Sequence, residues 1–170
     1  MPSLDRDHVM VMFSYHHWAT DRVLTAAAAL TGAQLDAKWG GSFGTGRGLM
    51  RHVVGVEQLW LERLNGRSPR AVPDFPPTYS GRDFLQEWTT VRAAQDEFVA
   101  GLSRSMLQGE LTYTNIKGER WTYRLPQILL HIVNHGTYHR GQLTHLMRDF
   151  GLSAPSTDYL IFAEERRRDG

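Results

Sequence analysis

The sequence predicts an all-α domain: a four-helix bundle with a long crossover between its second and third helices, a short β-hairpin before the fourth, and a short C-terminal helix. Three observations predict it. Apolar residues recur at three- and four-residue steps over four long segments. A stretch between the second and third of these carries four prolines, at 69, 73, 76 and 77, which forbid a helix. Strand-like alternation is confined to two adjacent short runs. A length of 170 residues suits one domain, residues 1–170, because a chain of this size buries roughly 70% of its unfolded surface without covalent staples.

Taken in order, Ser3 is a candidate N-cap for a first helix in which Met10, Phe13, His17, Leu24 and Ala27 recur as far as Leu30, before Thr31-Gly32. Residues 38–48 hold five glycines and read as irregular chain. Leu49, Val53, Val56, Leu59 and Trp60 then mark a second helix, with His52 beside its apolar face and a stop at Asn65-Gly66. The proline-rich residues 67–79 read as an extended connection long enough to cross the end of a bundle, so the helices it joins need not be antiparallel neighbours. Ser80, with Asp83 three residues on, caps a third helix through Phe84, Trp88, Val91, Phe98 and Leu102.

Residues 111–115 and 120–124 are β-branched and aromatic with period 2 and flank Lys117-Gly118, which predicts a hairpin, placed as a lid. Pro126 pre-sets the first turn of a fourth helix that runs to Phe150 before Gly151, roughly 36 Å at about 1.5 Å per residue. After Pro155, Ser156 or Thr157 caps a last short helix through Tyr159, Leu160 and Phe162, its charged end frayed.

Composition excludes whole classes of function. Zero cysteines remove disulfides, thiolate metal sites, iron–sulfur clusters and a cysteine nucleophile, and fit a reducing cytoplasm. With 19 Lys+Arg against 18 Asp+Glu the net charge is +1, no footprint for a phosphate backbone, and the Arg166-Arg167-Arg168 run is preceded by Glu164-Glu165. The N-terminus is acidic where a signal peptide is basic, and no run of 18 apolar residues occurs. Neither nucleic acid nor membrane is an expected partner. What departs from average is eight histidines.

His131, His135 and His139 fall at successive i, i+4 spacings in the fourth helix and, at about 100° per residue, project within ~80° of one another, with Gln142 in the same sector. Buried imidazoles without partners are costly, so something must satisfy this stripe. Two such histidines can chelate a divalent ion at roughly 2.0–2.1 Å, and a third from a facing helix completes an open three-ligand site. His52 is available as that third. Neutral imidazoles suit Zn, Ni, Cu or Fe rather than Mg or Ca. Familiar alternatives fail on spacing: Gly136 stands where a zincin needs Glu, Glu-x-x-His occurs nowhere, and Val56 stands four residues after His52 where a hemerythrin-like site wants Glu. Glu57 lies about 140° around the helix from His52 and should not face the metal. His17 shares the Met10/Phe13/Leu24 face, either lining the pocket or satisfied in the core; Arg140 should pair with a carboxylate while Gly141 lets helices approach.

The run Asn134-His135-Gly136-Thr137-Tyr138-His139-Arg140-Gly141-Gln142-Leu143, with Leu49-Met50-Arg51-His52 and Trp60-Leu61, resembles the signature of the DinB/YfiT-like family. Tyr15-His16-His17-Trp18-Ala19 and Pro155 with Asp158-Tyr159 extend the resemblance over nearly the whole chain, although His16 and Thr20 stand where the family often has Asn. The resemblance implies a four-helix bundle, a homodimer, and a metal site of His52, His135 and His139, with His131 an inner support. Gln142, in the same sector, is expected from its position to orient a ligand or a bound water. Zinc or nickel is the expected metal. Relatives in that family include isomerases and S-transferases that use mycothiol or bacillithiol. The expected function is therefore a metal-dependent thiol transferase or isomerase acting on a small-molecule substrate with a low-molecular-weight thiol. A metal-dependent hydrolase and a non-enzymatic metal-binding stress-response bundle are the alternatives.

Overall fold

The structure, a computed structural model, describes residues 5–169. Four long helices, α1 (Arg6–Ala27), α3 (Gly46–Leu64), α4 (Gly81–Ala100) and α6 (Leu125–Asp149), form the bundle. Short helices α2 (Gly32–Asp36) and α5 (Arg104–Gln108), a hairpin of β1 (Glu110–Thr114) and β2 (Arg120–Arg124), and the terminal α7 (Tyr159–Asp169) complete it.

Helix ends follow local capping chemistry. Asp5 caps α1, its side chain accepting from His8 N–H, while Ser3, the cap expected from sequence, lies outside the described residues. Thr31 does not end the first helix but caps α2, reciprocally with Gln34. In α3 the Thr45 side chain accepts from Gly48 N–H, so Gly46 and Gly48, expected in irregular chain, form the first helical turn. Ser80 and Asp83 make the expected reciprocal cap of α4. Gly66 takes the left-handed conformation (φ 77°) just past the α3 C-cap Asn65, where a side chain would be strained.

Each long helix packs against two others: α1 on α4 and α6, and α3 on α4 and α6. Gly81 lies against Ala28 and Arg6 donates to the Ala100 carbonyl, which sets α1 and α4 antiparallel. His52 meets His139 while Trp60 meets His131, which sets α3 and α6 antiparallel. The connection at residues 65–80 does not cross the end of the bundle. It returns alongside α3: Val72 and Phe75 stand against Gly55, Asp74 pairs with Arg51, and the Tyr79 carbonyl accepts from Arg47. α4 therefore starts beside the start of α3, and the two run parallel.

Two apolar clusters fill the bundle, one around Leu24, Leu49, Trp88 and Leu143, the other around Phe13, Val56, Ile128 and Leu129. A buried polar layer separates them, made of His16, His17, Thr20, Glu57, Gln95 and Arg140. Close approach here depends on Gly136, where an added Cβ would lie 2.4 Å from His16 Cε1, and not on Gly141, which has nothing within 4 Å. The hairpin register pairs Tyr113 with Trp121; Tyr113 is buried edge-on to Trp60, at 5.2 Å between ring centroids, and β2 is exposed throughout. α7 continues through the charged stretch expected to fray, because Glu165 accepts from Trp18 Nε1 (2.7 Å) and Arg22 (3.2 Å). Among the described residues, no helix is long and apolar enough to cross a membrane.

Candidate metal centre

The antiparallel packing of α3 on α6 brings His52 from one helix to His135 and His139 from the other. Nε2 of His139 is 3.1 Å from Nε2 of His52 and 3.0 Å from Nε2 of His135. On its other side His139 Nδ1 lies 2.7 Å from Gln142 Oε1. An amide oxygen only accepts, so Nδ1 carries the proton and Nε2 presents a lone pair to the group. Nitrogens bound tetrahedrally to one ion at roughly 2.0–2.1 Å stand ~3.3 Å apart, close to the observed separations. Among the described residues these three form a group able to hold a metal ion, each offering one atom within 4.8 Å of the others.

Electrostatics keep the group neutral. Burial, then the neighbouring His139, pushes His52 down to about 4; the same two causes push His135 down to about 4. His139 is lowered too, by burial that outweighs the hydrogen bond it donates to Gln142. All three shifts favour the neutral imidazole, the form a metal requires. Phe43 stacks on His52 at 4.3 Å between centroids and meets His139 edge-on at 5.6 Å, so an aromatic ring covers one side. Nothing in the glycine-rich stretch around Phe43 marked it for this position.

The other candidates lie elsewhere. His131 is exposed, 5.7 Å from His135 and 5.1 Å from Trp60 between ring centroids. The hydrogen bond expected of an inner support is absent among the described residues. His17 is buried, with Nε2 2.9 Å from Gln95 Oε1 and Nδ1 3.0 Å from Asp96 Oδ1, which makes it a core histidine held by acceptors of α4. His145 is exposed beside Trp39 and Asp149. Glu57 is outside the three-His group: one oxygen accepts from Gln95 Nε2 (2.8 Å) and the other faces His16 Nε2 (3.2 Å). Burial alone would raise its carboxyl, but His16 and Gln95 hold it below the ordinary value.

Among the described residues Arg140 has no carboxylate partner of the kind expected. Its NH1 donates to His16 Nδ1 (3.0 Å) and Thr20 Oγ1 (3.1 Å), and its NH2 to Thr137 Oγ1 (2.8 Å). Because a guanidinium only donates, His16 Nδ1 accepts and its proton sits on Nε2, toward Glu57. His16 and Thr20 of α1 thus hold Arg140, with Thr137, behind the ligating face of α6.

With three neutral nitrogen donors at this spacing and no fourth in the group, the arrangement can hold a transition-metal ion with positions left for small molecules. Comparison with known proteins agrees in fold. The chain is 21% identical over 167 residues to Protein DinB of Bacillus subtilis (strain 168), covering 92% of this chain and 94% of that one. A crystal structure of a DinB-like protein from Bacillus cereus superposes with a TM-score of 0.71 at 22% identity, over 88% of this chain and 95% of that one. The model of the DinB family matches residues 4–169, and the chain belongs to that family.

Proposed function

We propose that His52, His135 and His139 hold one divalent transition metal, zinc or nickel, and that the protein is a metal-dependent thiol transferase or isomerase using a low-molecular-weight thiol. The observation that carries this reading is the convergence of three Nε2 atoms, 3.0 and 3.1 Å apart in the two measured pairs, with the His139 tautomer set by Gln142. An ion bound there supplies the positive charge that brings a thiol or water to its nucleophilic form at neutral pH. The chain's own residues orient and shield. Gln142 fixes the ring of His139, Phe43 excludes water from one side of His52, and the Arg140–His16–Glu57 layer stiffens the helix behind the ligands. No cysteine exists to serve as an internal nucleophile, so the thiol must arrive from solution.

The same proposal includes a homodimer, supported by the apolar exposed outer face of α6 at Leu130 and Tyr138, and a reducing, cytoplasmic setting, supported by the lack of cysteine. The test is a Co²⁺-substituted sample titrated with cellular thiols, followed by a conjugation screen with and without metal. A new sulfur-to-cobalt absorption and metal-dependent conjugation are expected. Hydrolysis of small esters or amides without thiol would instead assign the water-activating chemistry, and inertness in both assays the non-enzymatic role.

A further inference from the structure

Arg63, in the last turn of α3, is only 6% exposed. Its guanidinium lies between two aromatic rings, with Cζ 4.6 Å from the centroid of Trp60 and 4.5 Å from that of Tyr113. Ring faces attract a cation but accept none of its N–H bonds in the way a carboxylate does. Among the described residues no carboxylate pairs with Arg63, no side chain or carbonyl accepts from its guanidinium, and its Nε is fully buried without a partner. The other buried guanidinium, that of Arg140, has three acceptors, and the more exposed Arg22, Arg47, Arg67 and Arg92 each face a carboxylate. An orphaned Nε is common to Arg22, Arg63, Arg92 and Arg140; among the described residues Arg63 is the buried arginine whose guanidinium has neither a carboxylate nor any other protein acceptor.

Its position connects it to the three histidines. Eleven residues separate it from His52, which at about 100° per residue leaves the two within ~20° on one face of α3. Rings of both helices lie between them, Trp60 from α3 and His131 and His135 from α6: Trp60 meets His131 at 5.1 Å, His131 meets His135 at 5.7 Å, and His135 meets His52 at 5.3 Å between centroids. His131, exposed and without a hydrogen bond, is the midpoint of this track rather than part of the ligand set.

We propose that Arg63 is the anion-binding end of the substrate site: a carboxylate at the far end of an extended small molecule takes the guanidinium fork, while the molecule's reacting end lies at the three histidines. A single guanidinium flanked by neutral rings matches a monoanion, and its planar fork matches carboxylate geometry. The apolar track past Trp60 and His131 would carry the chain between the two ends. This rests on the reading of the three histidines as the reacting end.

The test titrates Co²⁺-loaded protein with two series of straight-chain thiols of matched length, one ending in carboxylate and one in alcohol, followed by the cobalt absorption. Wild-type protein should bind the carboxylates long enough to reach Arg63 at least about tenfold more tightly than the matched alcohols. In Arg63→Met, which keeps an apolar stem between the rings, that ratio should fall to about one, with metal content unchanged. An equal ratio in wild type and variant would overturn the anion site and leave the thiol reading standing. If no thiol of either series alters the cobalt spectrum, the thiol reading fails instead, and the Arg63 Nε–H resonance of wild-type protein as purified decides the anion site. A shift on adding hexanoate but not hexanol supports it; no shift with either overturns it. That second measurement also serves if Arg63→Met does not fold.

Discussion

His139 is locked between two roles by Gln142: its Nδ1 proton goes to the amide oxygen 2.7 Å away, which leaves Nε2 free to face His52 and His135. A ligand oriented in this way binds metal more tightly than one free to rotate or change tautomer. Gln142→Leu should lower metal affinity by about 10–100-fold with little change in the melting temperature of the metal-free protein. Competition against a chromophoric chelator measures the first, and calorimetry the second. Unchanged affinity would remove the orienting role of Gln142.

The depressed imidazoles give the metal-free protein a defined acid sensitivity. His52 and His135 titrate at about 4 in the fold against an ordinary value of 6.5, so between these limits the unfolded chain binds more protons than the folded one. Stability of the metal-free protein should therefore fall as pH drops from about 6.5 to about 4 and stop falling from this cause below that. Metal affinity should fall over the same window, because protons compete for the same nitrogens. Urea titrations at several pH values check the slope, and His52→Ala, with one fewer depressed imidazole, should show a shallower one.

Gly136 and Gly141 are both helical and should respond oppositely to alanine. At Gly136 the new Cβ would fall 2.4 Å from His16 Cε1 and 2.9 Å from Arg140 NH1, so both must move; a loss of about 1–3 kcal/mol or more is expected from overpacking. At Gly141 there is nothing within 4 Å, and alanine should stabilise by up to about 1 kcal/mol through helix propensity. Chemical denaturation of the two variants measures both. A neutral Gly136→Ala would mean that the helices can separate there without cost.

Glu57 tests whether the buried polar layer is structural. Glu57→Gln removes the carboxylate facing His16 and bonded by Gln95, and leaves the Arg140 charge behind it less compensated. Loss of a partner in a buried charge network costs about 3–5 kcal/mol when nothing replaces it, and the isosteric amide should cost somewhat less. Metal stoichiometry should stay at one per chain. Loss of metal with unchanged stability would instead put Glu57 among the ligands.

Which of these features were legible in the sequence follows from how local their causes are. The α6 helix, its Pro126 start, the hairpin and the Ser80–Asp83 cap are set by neighbours within four residues, and each was readable. The i, i+4 pair of His135 and His139 was readable for the same reason, and the apolar face of α3 pointed to His52 as their partner. Two short helices of five residues each escaped because neither spans two turns of periodicity. Gly46 and Gly48 read as loop because their helical turn is imposed by the Thr45 cap and by packing. Arg140 finds two of its three acceptors on a helix more than a hundred residues away, and the crossover's return along α3 depends on Gly55 admitting Val72 and Phe75. Such long-range contacts leave no trace in spacing.

The cross-bundle site is tested most directly by elemental analysis of natively purified protein beside its His52→Ala variant, with His145→Ala as the control. About one transition-metal ion per chain is expected in the wild type and in His145→Ala, whose imidazole is exposed and outside the group, and far less than one in His52→Ala. Undiminished metal in His52→Ala would contradict a site shared between α3 and α6.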